Sequence, residues 1–278
     1  MFAAPTPDGW YPDPGDPIAL RYWQANAWTT WVSNFGQPRH QPLPTRTAVA
    51  PMVALPPRAL WWALGGFVLT IVLTAAATLA SDSLTVSLAL GIVAIDVGLV
   101  GTAWLITKRY GTGSLADDLG LRFSRHDAAG GLATGVSARA LAGAAAIMVL
   151  ALTGGDIDNT DIQFDVFEDN DAALYLATVN AVFIAPFVEE IFFRGLLQRT
   201  LIQWIGVPAG IVAQAALFTL PHIQFDATGS ENATLLAAVV VAGVVFGIAY
   251  QMTGRLGTSI IGHSLFNLVA SIGILITR

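Results

Sequence analysis

From Ala59 onward the sequence is dominated by apolar runs, near 59–80, 84–107, 130–153, 172–194, 206–224, 233–252 and 256–276. Each is close to the roughly 20 residues that an α-helix needs to cross the hydrocarbon core of a bilayer. The expected fold is therefore an all-α membrane protein, a multi-pass transmembrane helical bundle of about seven spans. Only 12% of the 278 residues are charged and 54% are hydrophobic, as a chain embedded in lipid requires. The net charge of −6, with no basic patch, argues against a nucleic-acid partner. The absence of cysteine excludes disulfides, thiolate nucleophiles, Fe–S clusters, Cys-ligated zinc and prenylation of the chain itself.

The first 57 residues are different in kind. Gly9-Trp10-Tyr11-Pro12-Asp13-Pro14, Arg21-Tyr22-Trp23 and Trp28-Thr29 cluster aromatics between Pro and Gly, which predicts a small β-rich unit, a hairpin with a Trp-covered face. Residues 1–36 are read as this module, 37–57 as a Pro-containing linker, and 58–278 as the transmembrane domain. The module resembles a short Trp-rich unit that precedes transmembrane segments in many bacterial membrane proteins. It departs from that pattern at Gln24-Ala25-Asn26, where an acidic residue and a glycine are usual, so a different turn is expected. Two readings stand for it: a docking site for a protein partner, or an inert cytosolic appendage. The polar stretch before the first apolar run is too long for a secretory signal, so that run is expected to remain as an anchor.

Basic residues set the orientation. They lie before the first span (Arg21, Arg39, Arg46, Arg58), after the second (Lys108, Arg109, Arg122, Arg125), after the fourth (Arg194, Arg199) and after the sixth (Arg255). The alternate loops at 81–83, 154–171 and 225–232 carry none. The positive-inside rule then predicts a multi-pass cell-membrane protein with a cytoplasmic N-terminus. The stretch around Leu115, Leu119, Leu121 and Phe123 reads as an amphipathic, interfacial segment. Gly243 and Gly247 read as a close helix–helix contact. The acidic loop from Asp156 to Asp171 reads as solvated, with a cation or basic partner as the alternative. Asp96, alone in the second span, reads as a helix–helix hydrogen-bond partner.

Three polar clusters interrupt the later spans: Glu189-Glu190-Ile191-Phe192-Phe193-Arg194, Phe218-Thr219-Leu220-Pro221-His222 and His263-Ser264-Leu265-Phe266-Asn267. Ionisable groups inside a membrane are costly and usually functional. Adjacent on a helix, Glu189 and Glu190 diverge by roughly 100 degrees, so they should have different tasks. Glu190 and Arg194, at i and i+4, are placed to form an ion pair, which leaves Glu189 as a general base. Pro221 frees a backbone carbonyl near His222. His263 and Asn267 share a face and are suited to bind a developing oxyanion. His40 and His126 lie in polar segments without an evident role. Counted from these boundaries, Glu189 falls near the cytoplasmic end of its span and His222 toward the outer side. Chemistry needs them together, so the boundaries are expected to shift by several residues.

The motifs EExxxR, FxxxH and HxxxN, in this order on membrane helices, resemble the CPBP family of CAAX proteases and bacteriocin-processing enzymes, also called Abi. Its eukaryotic relatives include the Ras-converting enzyme that trims prenylated CAAX proteins. The resemblance spans about residues 112–278. It implies an intramembrane endopeptidase acting on membrane-associated, CAAX-like proteins or peptides. In that mapping Glu189 activates water with His222, His263 and Asn267 bind the oxyanion, and Glu190, Arg194 and Phe218 support the site. Two schemes stay open. Glu189, His222 and His263 supply three ligands for a Zn2+ ion with water as the fourth, or the site works as a glutamate protease without metal. Outside the protease reading stand a non-catalytic scaffold or bacteriocin-immunity-type protein on the same fold, and a proton-relaying transporter.

Overall fold

The computed structural model describes residues 7–13, 16–25, 27–34, 36–42, 55–154, 167, 170–224, 227 and 229–277. Strands β1 (Gly9–Asp13), β2 (Asp16–Gln24), β3 (Ala27–Asn34) and β4 (Gln37–His40) form an antiparallel sheet in the order of the chain. The expected hairpin is thus a four-stranded sheet, and β4 lies inside the segment read as a linker. Its buried face gathers Tyr11, Trp23 and Trp28, with the two indoles packed edge to face at 5.1 Å. So small an apolar cluster needs a second support, and Arg21 provides it. This fully buried guanidinium pairs with Asp13 at 2.9 Å and donates to the carbonyls of Thr29 and Gln41, each at 3.0 Å, and of Pro42. A charge buried with that many acceptors ties both ends of the sheet to its centre. His40 is not idle: its ring packs against Trp31 at a tilt of 41°, with centroids 3.6 Å apart.

The β2–β3 link at Gln24-Ala25 takes a backbone conformation that glycine favours. Ala25 has φ +48°, a left-handed conformation costly for a residue with a Cβ. Its N–H donates to Asp8 Oδ1 at 2.9 Å.

All seven expected spans are helical. Six are long and apolar enough to cross a membrane: α1 (Arg58–Thr78), α2 (Leu84–Tyr110), α4 (His126–Thr153), α5 (Asp171–Ile205), α7 (Gly229–Thr253) and α8 (Leu256–Thr277). The remaining run, α6 (Val207–His222), is shorter and closes in a 3-10 turn at Leu220–His222. Large apolar side chains such as Trp61, Leu69, Val93, Val97, Ile147 and Met148 are exposed on the outer helices, as a lipid-facing surface demands. The acidic loop from Asp156 lies outside the described residues up to Asn170, and Asp171 begins α5.

One expectation changes. The fourth helix does not end at Arg194; it runs on to Ile205 and stops at Gly206. Arg194 is completely buried and Arg199 nearly so, so neither marks a cytoplasmic loop. The stretch after α2 packs part of its length into the bundle and leaves Arg122 and Phe123 exposed. Only α3 (Leu115–Leu119) is helical, and Asp118 and Leu119 are fully buried. The Asp118 carboxylate accepts from the Thr112 and Gly113 N–H groups, which folds the loop inward. Leu119 then meets α5 at Gly195 and accepts a hydrogen bond from the Tyr250 hydroxyl through its carbonyl.

The bundle is built around α5, whose segment Glu190–Gln198 is buried at every residue. Small residues bring the neighbours close. A Cβ on Gly243 would stand 3.1 Å from that of Ala215 on α6, which bears out the expected close contact there. Gly135 on α4 is tighter: a Cβ would lie 2.8 Å from the Gly262 carbonyl oxygen and 3.0 Å from Leu265 on α8. Backbone cannot move aside as a side-chain tip does. Gly135→Ala should therefore lower stability by about 1–3 kcal/mol, read as a drop in thermal unfolding temperature in detergent. Gly143→Ala on the same helix, where a Cβ meets nothing within 4 Å, should show no loss. In the sheet, Ala25→Gly should raise stability by about 1 kcal/mol through relief of the left-handed strain, read from the module's Trp fluorescence during unfolding.

Candidate active site

Helix α5 changes pitch twice. Asn180–Ile184 and Glu190–Gln198 are wide π-helical turns, and the Ala185 N–H reaches back five residues to the Asn180 carbonyl. Such turns are rare and favour functional positions, because they re-aim side chains and loosen backbone carbonyls. Both consequences are present. Within the second wide stretch lie Glu190 and Arg194. Beside the first, the Ala181 carbonyl accepts from Asn267 Nδ2 of α8 at 2.7 Å.

Glu190 is the hub. Its Oε1 stands 2.9 Å from Arg194 Nη1 and 3.0 Å from His263 Nδ1, and both Glu190 and Arg194 have no exposed side-chain surface. The ion pair expected from the i, i+4 spacing is formed. Arg194 is further held by the Gly243 carbonyl, which accepts from its Nη2 at 3.3 Å, and by the faces of Phe218 and Phe246 at 4.5 and 5.4 Å. Cation–π contacts of this kind gain strength when desolvated.

Glu189 turns away from that pair yet reaches the same imidazole. Its Oε2 lies 3.7 Å from His263 Nε2, and its side chain keeps 19% exposure. The two glutamates therefore differ in surroundings, as their helical directions require, but meet at the two nitrogens of one histidine. With Nδ1–H donated to Glu190, Nε2 is the ring atom aimed at the reacting centre.

His222 enters from α6. The 3-10 turn around Pro221 leaves the Phe218 carbonyl free, and His222 Nδ1 bonds to it at 3.0 Å. That bond orients the ring and leaves Nε2 available. Phe218 stands between the histidines, 5.1 Å from the His222 ring and 5.8 Å from that of His263. The mismatch in depth disappears with the longer α5. Glu189 lies 16 residues before the end of α5 at Ile205, and His222 lies 15 residues after the start of α6 at Val207. Across the Gly206 turn the two are level.

The structure thus brings Glu189, Glu190, Arg194, Phe218 and His263 into one contact network, with His222 joined through Phe218 and Asn267 through α5. It does not gather Glu189, His222 and His263 as a metal site: among the described residues no three His, Asp or Glu side chains converge closely enough to hold an ion. The three-ligand zinc arrangement drawn from the residue types is not assembled among the described residues. Asp96, expected as a hydrogen-bond partner between helices, makes no hydrogen bond among the described residues.

Sequence reasoning missed two amides. Gln198 and Gln214 are fully buried. Gln214 Nε2 donates to the same Gly243 carbonyl as Arg194, and Gln198 Nε2 donates to Gly247, each at 3.0 Å. The two glycines of the GxxxG pair therefore serve as acceptors as well as contact points. The signal was in the sequence: Gln198 stands one further i+4 step beyond Arg194, and Gln214 is the lone polar residue in an apolar stretch of α6. A second missed anchor positions α8. Asp127 Oδ1 accepts from Arg255 Nη2 at 2.8 Å and from the Thr258 hydroxyl at 2.7 Å, which ties the start of α4 to the start of α8.

No curated protein and no solved structure matches the chain. Residues 171–269 match the family model described as Rce1-like, type II CAAX prenyl endopeptidase Rce1-like. The match is narrower than the expected 112–278 and leaves out the N-terminal sheet. The matched stretch carries Glu189, Glu190, Arg194, Phe218, His222, His263 and Asn267, so the likeness to the CPBP, or CAAX protease, family rests on that region.

Proposed function

We propose that this chain is an intramembrane endopeptidase of CAAX type in which Glu189 activates water against a peptide bond of a membrane-associated protein. The observation that carries this reading is the shared imidazole. Glu190 grips His263 from one side, so the other side of the ring and the Glu189 carboxylate lie 3.7 Å apart, close enough for one reacting oxygen beside them to contact both. The substrate class follows from the family, and the exposed apolar helices supply the lipid setting.

In the proposed reaction, Glu189 takes one proton from a water held also by His222 Nε2, and the water oxygen attacks the scissile carbonyl carbon. The carbonyl oxygen becomes an oxyanion and accepts from His263 Nε2–H and from the Asn267 Nδ2 hydrogen not given to Ala181. Glu189 passes its proton to the amide nitrogen, the C–N bond breaks, and a carboxyl and an amine terminus leave. Arg194 and Glu190 take no part in bond changes. They fix His263 so that its donor is already aimed. In this reading the N-terminus and its sheet lie on the cytoplasmic side, where Arg58, Lys108, Arg109 and Arg255 gather at helix ends.

The division of labour predicts two distinct mutant signatures. Glu189→Ala should reduce cleavage of a membrane-bound reporter by about 10^3-fold or more while leaving insertion and thermal unfolding unaltered. Cleavage at the normal rate would sink the mechanism. Glu190→Ala should abolish cleavage and also cost about 3–5 kcal/mol of stability, because it strands a fully buried Arg194. Thermal unfolding separates the two: an unchanged unfolding temperature for Glu190→Ala would show that the ion pair does not brace the site.

A further inference from the structure

The N-terminal sheet and the bundle enclose a cavity that the reaction above does not use. Its volume is about 320 Å3, within the range that small ligands occupy. Trp10 and Tyr11 of β1 line it from the sheet, and Arg199, Gln203, Tyr250 and Gln251 line it from the last turns of α5 and α7. Beside it Leu20 of β2 packs against Ile202, Val207 and Ile211, which seats the sheet on the bundle.

The bundle side of this cavity is rich in donors. Arg199 donates to the Tyr250 hydroxyl, and a guanidinium with five N–H groups has capacity for an anion besides. Gln251 Nε2 is buried and has no hydrogen-bond partner among the described residues. A buried donor left unmade is costly, and an oxygen-rich anion supplies the acceptor. Asp8 is the one acid among the lining residues; it is exposed and already accepts from the Ala25 N–H at 2.9 Å. The setting narrows the anion. Pro57, at the entry to α1, also lines the cavity. Trp61, about one turn beyond it, and Trp204, next to Gln203, are exposed and pack edge to face at 6.3 Å. Exposed tryptophans of this kind mark the headgroup level of a bilayer, where phosphate is the abundant anion.

We propose that this cavity binds a phosphate group, gripped by Arg199 and Gln251 and covered by Trp10 and Tyr11. The N-terminal sheet is then one half of a binding site whose other half is the bundle. Arginine suits the task, because its planar fork matches phosphate oxygens. The site is separate from the Glu189 chemistry and does not depend on it.

The test is isothermal titration of the full chain in uncharged detergent with two soluble probes, inorganic phosphate and glycerophosphoglycerol, the deacylated headgroup of phosphatidylglycerol. At least one should bind saturably, one per chain, with Kd of about 1 mM or below. Tighter binding of glycerophosphoglycerol assigns the site to a lipid headgroup; equal or tighter binding of inorganic phosphate assigns it to a soluble phosphate. Arg199→Gln should weaken Kd by about tenfold or more, the worth of one charge-assisted contact, and Arg199→Lys should recover part of that loss. Because Arg199 also holds Tyr250, Gln203→Glu serves as a second variant. Its side chain is exposed, so the fold is retained, and the added negative charge should weaken Kd by about fivefold. No saturable binding of either probe in the millimolar range overturns the assignment. So does a Kd unchanged in Gln203→Glu or in a normally folded Arg199→Gln.

Discussion

One carboxylate oxygen holds this site together. Glu190 Oε1 meets Arg194 on its own helix and His263 on α8, inside a region with no solvent to share the load. A buried ion pair is by itself weak evidence for stability, because desolvating two charges offsets much of their attraction. What surrounds this one is a set of further contacts to Arg194, the Gly243 carbonyl and two aromatic faces, with the Gln198 and Gln214 amides donating to neighbouring carbonyls, although Glu190 Oε2 and Arg194 Nε have no hydrogen-bond partner among the described residues. Removing any member leaves a polar group without a partner, which is costlier than the pair is favourable. The network therefore acts as a positioning device for His263 more than as a source of net stability.

The wide turns of α5 make that network possible. A regular helix closes every carbonyl onto its own backbone, and a polar site inside a membrane then has only side chains to work with. The π-helical stretch at Asn180–Ile184 lies where Asn267 finds a backbone acceptor, and the stretch at Glu190–Gln198 carries the ion pair. On α6 the same need is met by Pro221, whose missing N–H and 3-10 turn release the Phe218 carbonyl for His222. Irregular backbone is confined to the places where a functional side chain uses it.

Much of this was legible in the sequence, for physical reasons that can be named. The multi-pass helical bundle followed from apolar run length, the Glu190–Arg194 pair from helical spacing, and the freed carbonyl from Pro221. The end of α5 was illegible because Arg194 and Arg199 look like a cytoplasmic boundary; nothing local says that a guanidinium is buried when its partners lie 49 residues away at Gly243. That error alone produced the apparent mismatch in depth between Glu189 and His222. The convergence of both glutamates on one imidazole was hidden for a related reason. Helical direction separates their Cα–Cβ vectors, but the meeting point is supplied by α8. Arg21 shows the same limit at smaller scale: its carbonyl partners Gln41 and Pro42 fall in what composition marks as linker.

The geometry also weighs against the transporter reading of the buried charges. A proton relay needs carboxylates that exchange partners, passing from a protonated to an ionised hydrogen-bond pattern as the carrier moves. Glu190 is fixed by Arg194 and His263 and by three aromatic or backbone neighbours of Arg194, so a change in its state would unseat the whole cluster. Of the two adjacent glutamates, only Glu189 has the partial exposure that proton exchange requires. One mobile proton beside one prefixed donor is too little for transport across a bundle. It is the minimum for hydrolysis, in which the same carboxylate receives a proton from water and returns it to the leaving amine.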